Sequence, residues 1–182
     1  MADRATAIAW EWGTTEAERA RTFACDGLLA DADDALFRGI TVDAPAPVVF
    51  RWLCQLRVAP YSYDWLDNVG RQSPRARDRA LAQLAIGHRF MRFFTLVAFE
   101  PDRHVTLRLV RSGRTFGELA VTYEIVPAGD ASRLLAKLRV RYPRSALGWL
   151  MGHLLPWGDL VMMRKQLLTL KTLAEREVSH SR

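Results

Sequence analysis

The chain is poor in cysteine: two in 182 residues, Cys25 and Cys54, with no C-x-x-C pair and no ligand spacing. That excludes a disulfide framework and a structural zinc site. Cys54, inside an apolar helical pattern, reads as an inert core thiol. The four histidines, His88, His104, His153 and His180, share no metal-binding spacing. Neither Ser62 nor Ser73 lies in a G-x-S-x-G elbow, and Gly113 and Gly117 form no phosphate loop. No metal and no cofactor are expected. Long hydrophobic runs are also missing: the nearest, Ala146 to Met163, is interrupted by His153, Pro156 and Asp159, so no integral membrane segment is expected. Asp3 and Glu11 stand where an export signal would be basic and then apolar. With two free thiols, this points to a reducing cytoplasm.

Lysine is scarce too. Nearly all of the 26 basic residues are arginine, and the net charge is +6. They are spread along the chain, the densest group being Arg71, Arg75, Arg77 and Arg79. Dispersed charge makes no phosphate track, so a solvated surface is expected and no nucleic-acid partner. At 49% hydrophobic and 25% charged, the chain has the composition of a globular protein with a substantial core.

Residues 1–35 read as an N-terminal arm pinned by Trp10 and Trp12, residues 36–178 as one domain, and residues 179–182 as a tail. Leu36 to Val42 reads as the first strand. Asp43 is a candidate cap for a helix opening at Pro45 and Pro47, with Val48, Val49, Trp52, Leu53 and Leu56 on one face and Pro60 as its stop. A second short helix is expected within 59–70, and a helical turn near Asp78 to Leu84. Gly87 to Phe99 is apolar on both faces and reads as one covered strand. Arg103 to Arg111, Phe116 to Val126 and Arg133 to Tyr142 alternate, pointing Val105, Leu107, Val121, Tyr123, Leu134 and Leu138 inward. Turns are marked at Ser112-Gly113 and Pro127 to Asp130. A long amphipathic helix is predicted to start near Pro156, with Ser145 to Leu155 as a kinked lead-in. Hairpin-linked strands followed by one long helix make an α+β pattern. The helix lies on a curved antiparallel sheet with a space between them.

The stretch from Ala59 to Gly70 is the most informative. Tyr61, Tyr63 and Trp65 interleave with Ser62 and Asp64, giving rings with polar tips of the kind that line pockets. The alternative is a packing motif with Asp64 or Asp67 as a helix cap. His88 and Arg92 fall at the head of the apolar strand, and Tyr123 and Met163 point toward the sheet–helix space. The candidate ligand-binding residues are therefore Tyr61, Tyr63, Asp64, Trp65, His88, Arg92, Tyr123 and Met163. No catalytic set is assigned.

Ile40-Thr41-Val42-Asp43-Ala44-Pro45-Ala46-Pro47-Val48-Val49-Phe50-Arg51-Trp52-Leu53 resembles the first strand, Ala-Pro turn and first helix of the START-like (SRPBCC, helix-grip) superfamily, particularly its polyketide cyclase/dehydrase and lipid-transport-like members. Tyr61-Ser62-Tyr63-Asp64-Trp65-Leu66-Asp67-Asn68 and Trp12-Gly13-Thr14-Thr15 are similar to segments of one branch. Gly87-His88 departs from the Gly-Asp that related chains often carry there. The resemblance spans about Trp10 to Ala174. It implies a helix-grip fold with two short helices after the first strand, and a cavity for a small hydrophobic ligand such as a lipid, polyketide or aromatic molecule. It also implies one rival, a cyclase, aromatase or dehydratase using that cavity, in which Tyr63, Asp64 or His88 is the candidate for moving protons; the basic composition offers another, an interaction module whose basic surface meets an acidic partner or anionic lipid. The sequence gives no oligomeric state.

Overall fold

The computed structural model describes residues 8–62, 73–109 and 117–180. Its centre is a seven-stranded sheet. The strands are β1 (Glu11–Trp12), β2 (Asp34–Val42), β3 (Arg89–Phe90), β4 (Phe94–Glu100), β5 (His104–Leu109), β6 (Glu118–Ala128) and β7 (Ala131–Arg141), in the spatial order β1-β2-β7-β6-β5-β4-β3. The short β1 lies parallel to β2, and every other pair is antiparallel. Period-two patterning sets the register: Val105 opposes Tyr123 and Tyr123 opposes Ala136, while Leu107, Val121 and Leu138 form a second inward row.

Among the described residues the α-helices are α1 (Glu16–Arg19), α2 (Ala24–Leu28), α3 (Ala46–Cys54) and α4 (Ala146–His180). In α3, Val48, Val49, Trp52 and Leu53 are buried as their spacing predicts. Its N-cap is Pro45, with no side-chain cap. Asp43 does not cap it; the Asp43 backbone N–H instead donates to Glu175 on α4. Asp78 opens a 3-10 turn, Arg79–Ala82, by accepting from the Ala80 N–H at 2.9 Å.

Two sequence expectations are corrected here. Gly87 to Phe99 is not one strand. Met91 and Arg92 adopt left-handed φ of 46° and 65°, and Phe90 pairs with Phe94 across a tight hairpin. Met91 and Arg92 are not turn-forming types, so the hairpin had no local signature. The terminal helix does not start near Pro156 but runs unbroken from Ala146 for 35 residues. Proline removes one intrahelical bond. Its neighbours replace that anchoring: Pro156 is buried, and its carbonyl accepts from Arg38 on β2 at 3.3 Å.

The inner sheet face packs on α3 and α4, with Leu134, Leu167, Leu170 and Ala174 in one core. The outer face is covered as well. Helix α2 lays Cys25 on β6 and β7, where the Cys25 N–H donates to Thr122 Oγ1 at 2.9 Å. Thr106 and Thr122, on the outer row of β5 and β6, are buried and hydrogen-bonded to each other at 3.0 Å. Lys137, also on the outward row, is held by Asp26 at 2.7 Å under the Phe23 and Phe37 rings. Toward the β6 end, Glu118 pairs with Arg108 and Arg141 across the strands.

Segments 8–33 are tied down by polar contacts. Thr15 and Glu18 form a capping box at α1, and Glu18 also binds Arg133 on β7 at 2.7 Å. The Arg133 guanidinium and the capping amides hold the Glu18 carboxyl below its usual range. Trp10 Nε1 donates to Asp34 at 3.2 Å, and Arg164 on α4 lies over the Trp12 ring.

Candidate functional site

A cavity of about 280 Å³ lies between the sheet and the middle of α4. Its floor is Phe94 of β4, Leu119, Val121 and Tyr123 of β6 and Leu138 of β7; its roof is Leu155, Asp159, Met162, Met163 and Gln166 of α4. Met91 and Phe93 of the hairpin, with Pro60 and Ser62, close one side. The wall is overwhelmingly apolar, and the three methionines give it an adaptable lining. A second recess of about 310 Å³, which shares Ser62 with the first, is edged by Arg75, Lys165 and Arg176. The first has the apolar walls and few converging polar groups typical of a small-molecule site.

Four polar side chains face the first cavity, and three of them form two anchored groups. In one, the Tyr123 hydroxyl donates to Gln166 Oε1 at 2.6 Å, and Gln166 Nε2 donates to the Pro60 carbonyl at 2.6 Å. This chain locks the amide orientation, and burial pushes the Tyr123 phenol well up, with the Asp159 charge adding to it. Tyr123 serves here as a hydrogen-bond donor to Gln166. In the other, Asp159 Oδ2 accepts from Arg38 Nη2 at 2.7 Å. Asp159 Oδ1 takes no hydrogen bond among the described residues. Burial pushes the Asp159 carboxyl up to about 6, and Arg38 pulls against it. Burial likewise lowers the Arg38 guanidinium, whose Nε has no partner among the described residues. Ser62, the fourth, donates to the Met162 carbonyl at 3.1 Å.

Of the residues singled out in sequence, Tyr123 and Met163 line this cavity. Tyr61 is buried and lines the second recess instead, its ring edge-on to Trp52 at 6.3 Å and its backbone at φ 54°. His88 is half-buried, its Nδ1 accepting from the Ala85 N–H at 3.1 Å, and does not reach the lining. Arg92 is exposed at the hairpin tip, where the left-handed turn carries it away from the lining. His153, another histidine near α4's start, is exposed and stacked on Trp149. Tyr63, Asp64 and Trp65 lie outside the described residues. Asp159, Gln166 and Arg38 were missed. Asp159 had registered only as a charge breaking an apolar run, and that break was the signal: a carboxylate inside a buried helix face needs a partner.

Among the described residues, no group of His, Cys, Asp and Glu could hold a metal ion, and no helix is long and apolar enough to cross a membrane. No protein-family model matches the chain, and no curated protein matches it. Solved structures do. A protein from Thermobifida fusca, determined by NMR in solution, superposes with a TM-score of 0.52 at 15% identity, over 78% of this chain and 93% of its own. The di-domain ARO/CYC StfQ from the steffimycin biosynthetic pathway superposes with a TM-score of 0.53 at 10% identity, over 85% of this chain. The match spans 55% of StfQ's length. At these identities the likeness is one of architecture: the chain has the helix-grip fold, an α+β arrangement of a curved sheet around a long C-terminal helix.

Proposed function

We propose that the chain binds a small hydrophobic molecule carrying a hydroxyl or phenol, with its apolar body between Val121, Leu138 and Met163 and its polar end at Asp159. The supporting observation is the pairing of an apolar wall with one carboxylate oxygen that has no donor, while the other oxygen is fixed by Arg38. Asp159 is partly exposed, and an acceptor without a donor beside an apolar wall favours a ligand that supplies one. Volume limits the ligand to a compact ring system or short chain. The test is a titration with 1-naphthol and with naphthalene, followed by fluorescence. Naphthol binds more tightly in the native protein, and Asp159→Leu removes that preference while keeping naphthalene binding. Equal affinity for both probes, or binding that survives a blocked cavity, defeats the reading.

Asp159 also favours a second reading, proton transfer to or from a bound aromatic or polyketide-like substrate. A carboxyl pushed up to about 6 exchanges protons near neutral pH, as a general acid or base must. A turnover assay on poly-β-ketone analogues distinguishes the two: Asp159→Asn abolishes conversion under this reading, with substrate still bound. Tyr63 and Asp64 remain candidates for such a role by sequence alone. Anionic lipid or an acidic protein as partner is the weaker alternative, since Arg108 on β5 and Arg133 and Arg141 on β7 are paired with carboxylates.

A further inference from the structure

The first half of α4 is apolar on the wrong side. Its inward face is buried through Gly148, Gly152, Pro156 and Leu160. On the opposite side Leu147, Leu150, Leu154, Trp157 and Val161 are 45%, 45%, 60%, 52% and 51% exposed. Their spacing is three, four, three, four: the a/d repeat of a helix-pairing seam, held for two heptads. The cavity described above lies on the other side of the helix and accounts for none of these five residues. Between Leu154 and Val161 sits Gly158, exposed, with nothing of the chain within 4 Å of where a Cβ would be. Glycine in an exposed helix costs about 1 kcal/mol relative to alanine. A hole beside a hydrophobic seam is where a facing helix seats a side chain.

We propose that this seam docks a second copy of the chain, helix against helix, in a symmetric dimer. Three observations favour that occupant. The five positions keep one unbroken three-four register, which a facing helix needs and a membrane surface does not, although Trp149 beside them is 69% exposed as well. From Ala146 to Met163 the only acidic or basic group besides His153 is Asp159, which faces inward and is held by Arg38, so the seam itself brings no like charges together; Arg144, Arg164 and Lys165 lie at its ends. The area reaches the threshold: these five side chains expose roughly 500 Å², so a symmetric pair that covers all of it removes about 1,000 Å², the lower bound of a specific interface.

Sedimentation velocity of the full chain from about 1 to about 100 µM tests this. The expected mass is twice 20.7 kDa at the upper end. Leu154→Glu and Trp157→Glu each return it to 20.7 kDa with the circular dichroism spectrum and melting temperature of the monomer unchanged, because both side chains are exposed. Ile86→Glu, at another exposed apolar residue, leaves the dimer intact. A monomer at every concentration overturns the proposal, as does a dimer that survives both α4 substitutions. So does a monomeric native chain that floats with phosphatidylglycerol vesicles and loses that binding in Leu154→Glu, which would assign the seam to a lipid surface.

Discussion

Arg38 Nη2 lies 2.7 Å from Asp159 Oδ2, joining the second strand to the terminal helix across 121 residues of sequence. The same nitrogen donates to the carbonyls of Ala9 and Pro156, so one guanidinium gathers the N-terminal segment, the sheet and the helix. Arg38 is 1% exposed, and the carboxylate it holds faces the cavity. The link is both a structural clamp and the polar anchor of the site.

Breaking this clamp from one side strands a buried charge. Arg38→Met leaves Asp159 and the Pro156 carbonyl without their donor, and it lowers unfolding free energy by about 3–5 kcal/mol in urea denaturation. Arg38→Met combined with Asp159→Leu recovers most of that loss. A double variant no more stable than the single one contradicts this account.

The pH dependence of Asp159 has a definite sign. Its folded value, about 6, lies above the ordinary 3.8, so the folded state holds the proton more tightly. That contribution to stability is full below the unfolded value and is lost as pH rises through about 6. Glu18, held low by Arg133, acts in the opposite sense and loses its contribution on acidification. Comparison with Asp159→Asn isolates the first effect: the melting temperature of the native chain relative to the variant rises as pH falls from neutrality through the carboxyl's titration. A difference that shrinks on acidification means Arg38 dominates instead.

Filling the cavity separates binding from stability. Leu119 is half-buried on the cavity floor, and Leu119→Trp occupies the volume there. Binding of an apolar fluorophore such as anilinonaphthalene sulfonate falls by about tenfold or more, while stability changes by less than about 1.5 kcal/mol. Undiminished fluorophore binding places the probe elsewhere.

Gly13, at φ 70°, sits where a Cβ would meet the Gly39 carbonyl oxygen on β2. Gly13→Ala therefore pushes β1 off the sheet edge and withdraws the Gly13 carbonyl from Arg133, which now donates to it at 2.7 Å. Hydrogen exchange at Phe37, whose amide bonds the Trp10 carbonyl, accelerates well before that of Leu134 in the core. Equal protection at both amides shows that the edge strand tolerates the change.

Neither cysteine should react in the folded protein. Both are buried, and burial pushes the Cys25 thiol up and the Cys54 thiol up to about 12. Thiol titration with Ellman's reagent stays blank until denaturant is added. Fast labelling of either would show local opening of α2 or α3.

Local patterning was enough wherever one face of an element was buried. The alternation in Val121, Tyr123 and Ile125 and in Leu134, Ala136 and Leu138 placed the inner sheet face, and the 3.6-residue spacing of Val49, Trp52 and Leu53 placed α3. The hairpin at Met91 and Arg92 was hidden because its left-handed backbone is imposed by neighbours such as the Leu56 carbonyl, which takes the Met91 N–H at 2.8 Å. The burial of Thr106, Thr122 and Lys137 was hidden for a related reason: it depends on α2, brought over the sheet from a hundred residues earlier.

Periodicity and turn chemistry carried the strands and helices, because each is a repeating preference of consecutive residues. Which of them would meet was a different matter. Arg38, Asp159, Tyr123 and Gln166 are scattered through the chain, and only the stacking of α4 on the sheet sets them around one cavity. The path of the helix through Pro156 was decided the same way, because contacts made at a distance outweighed one missing backbone hydrogen bond.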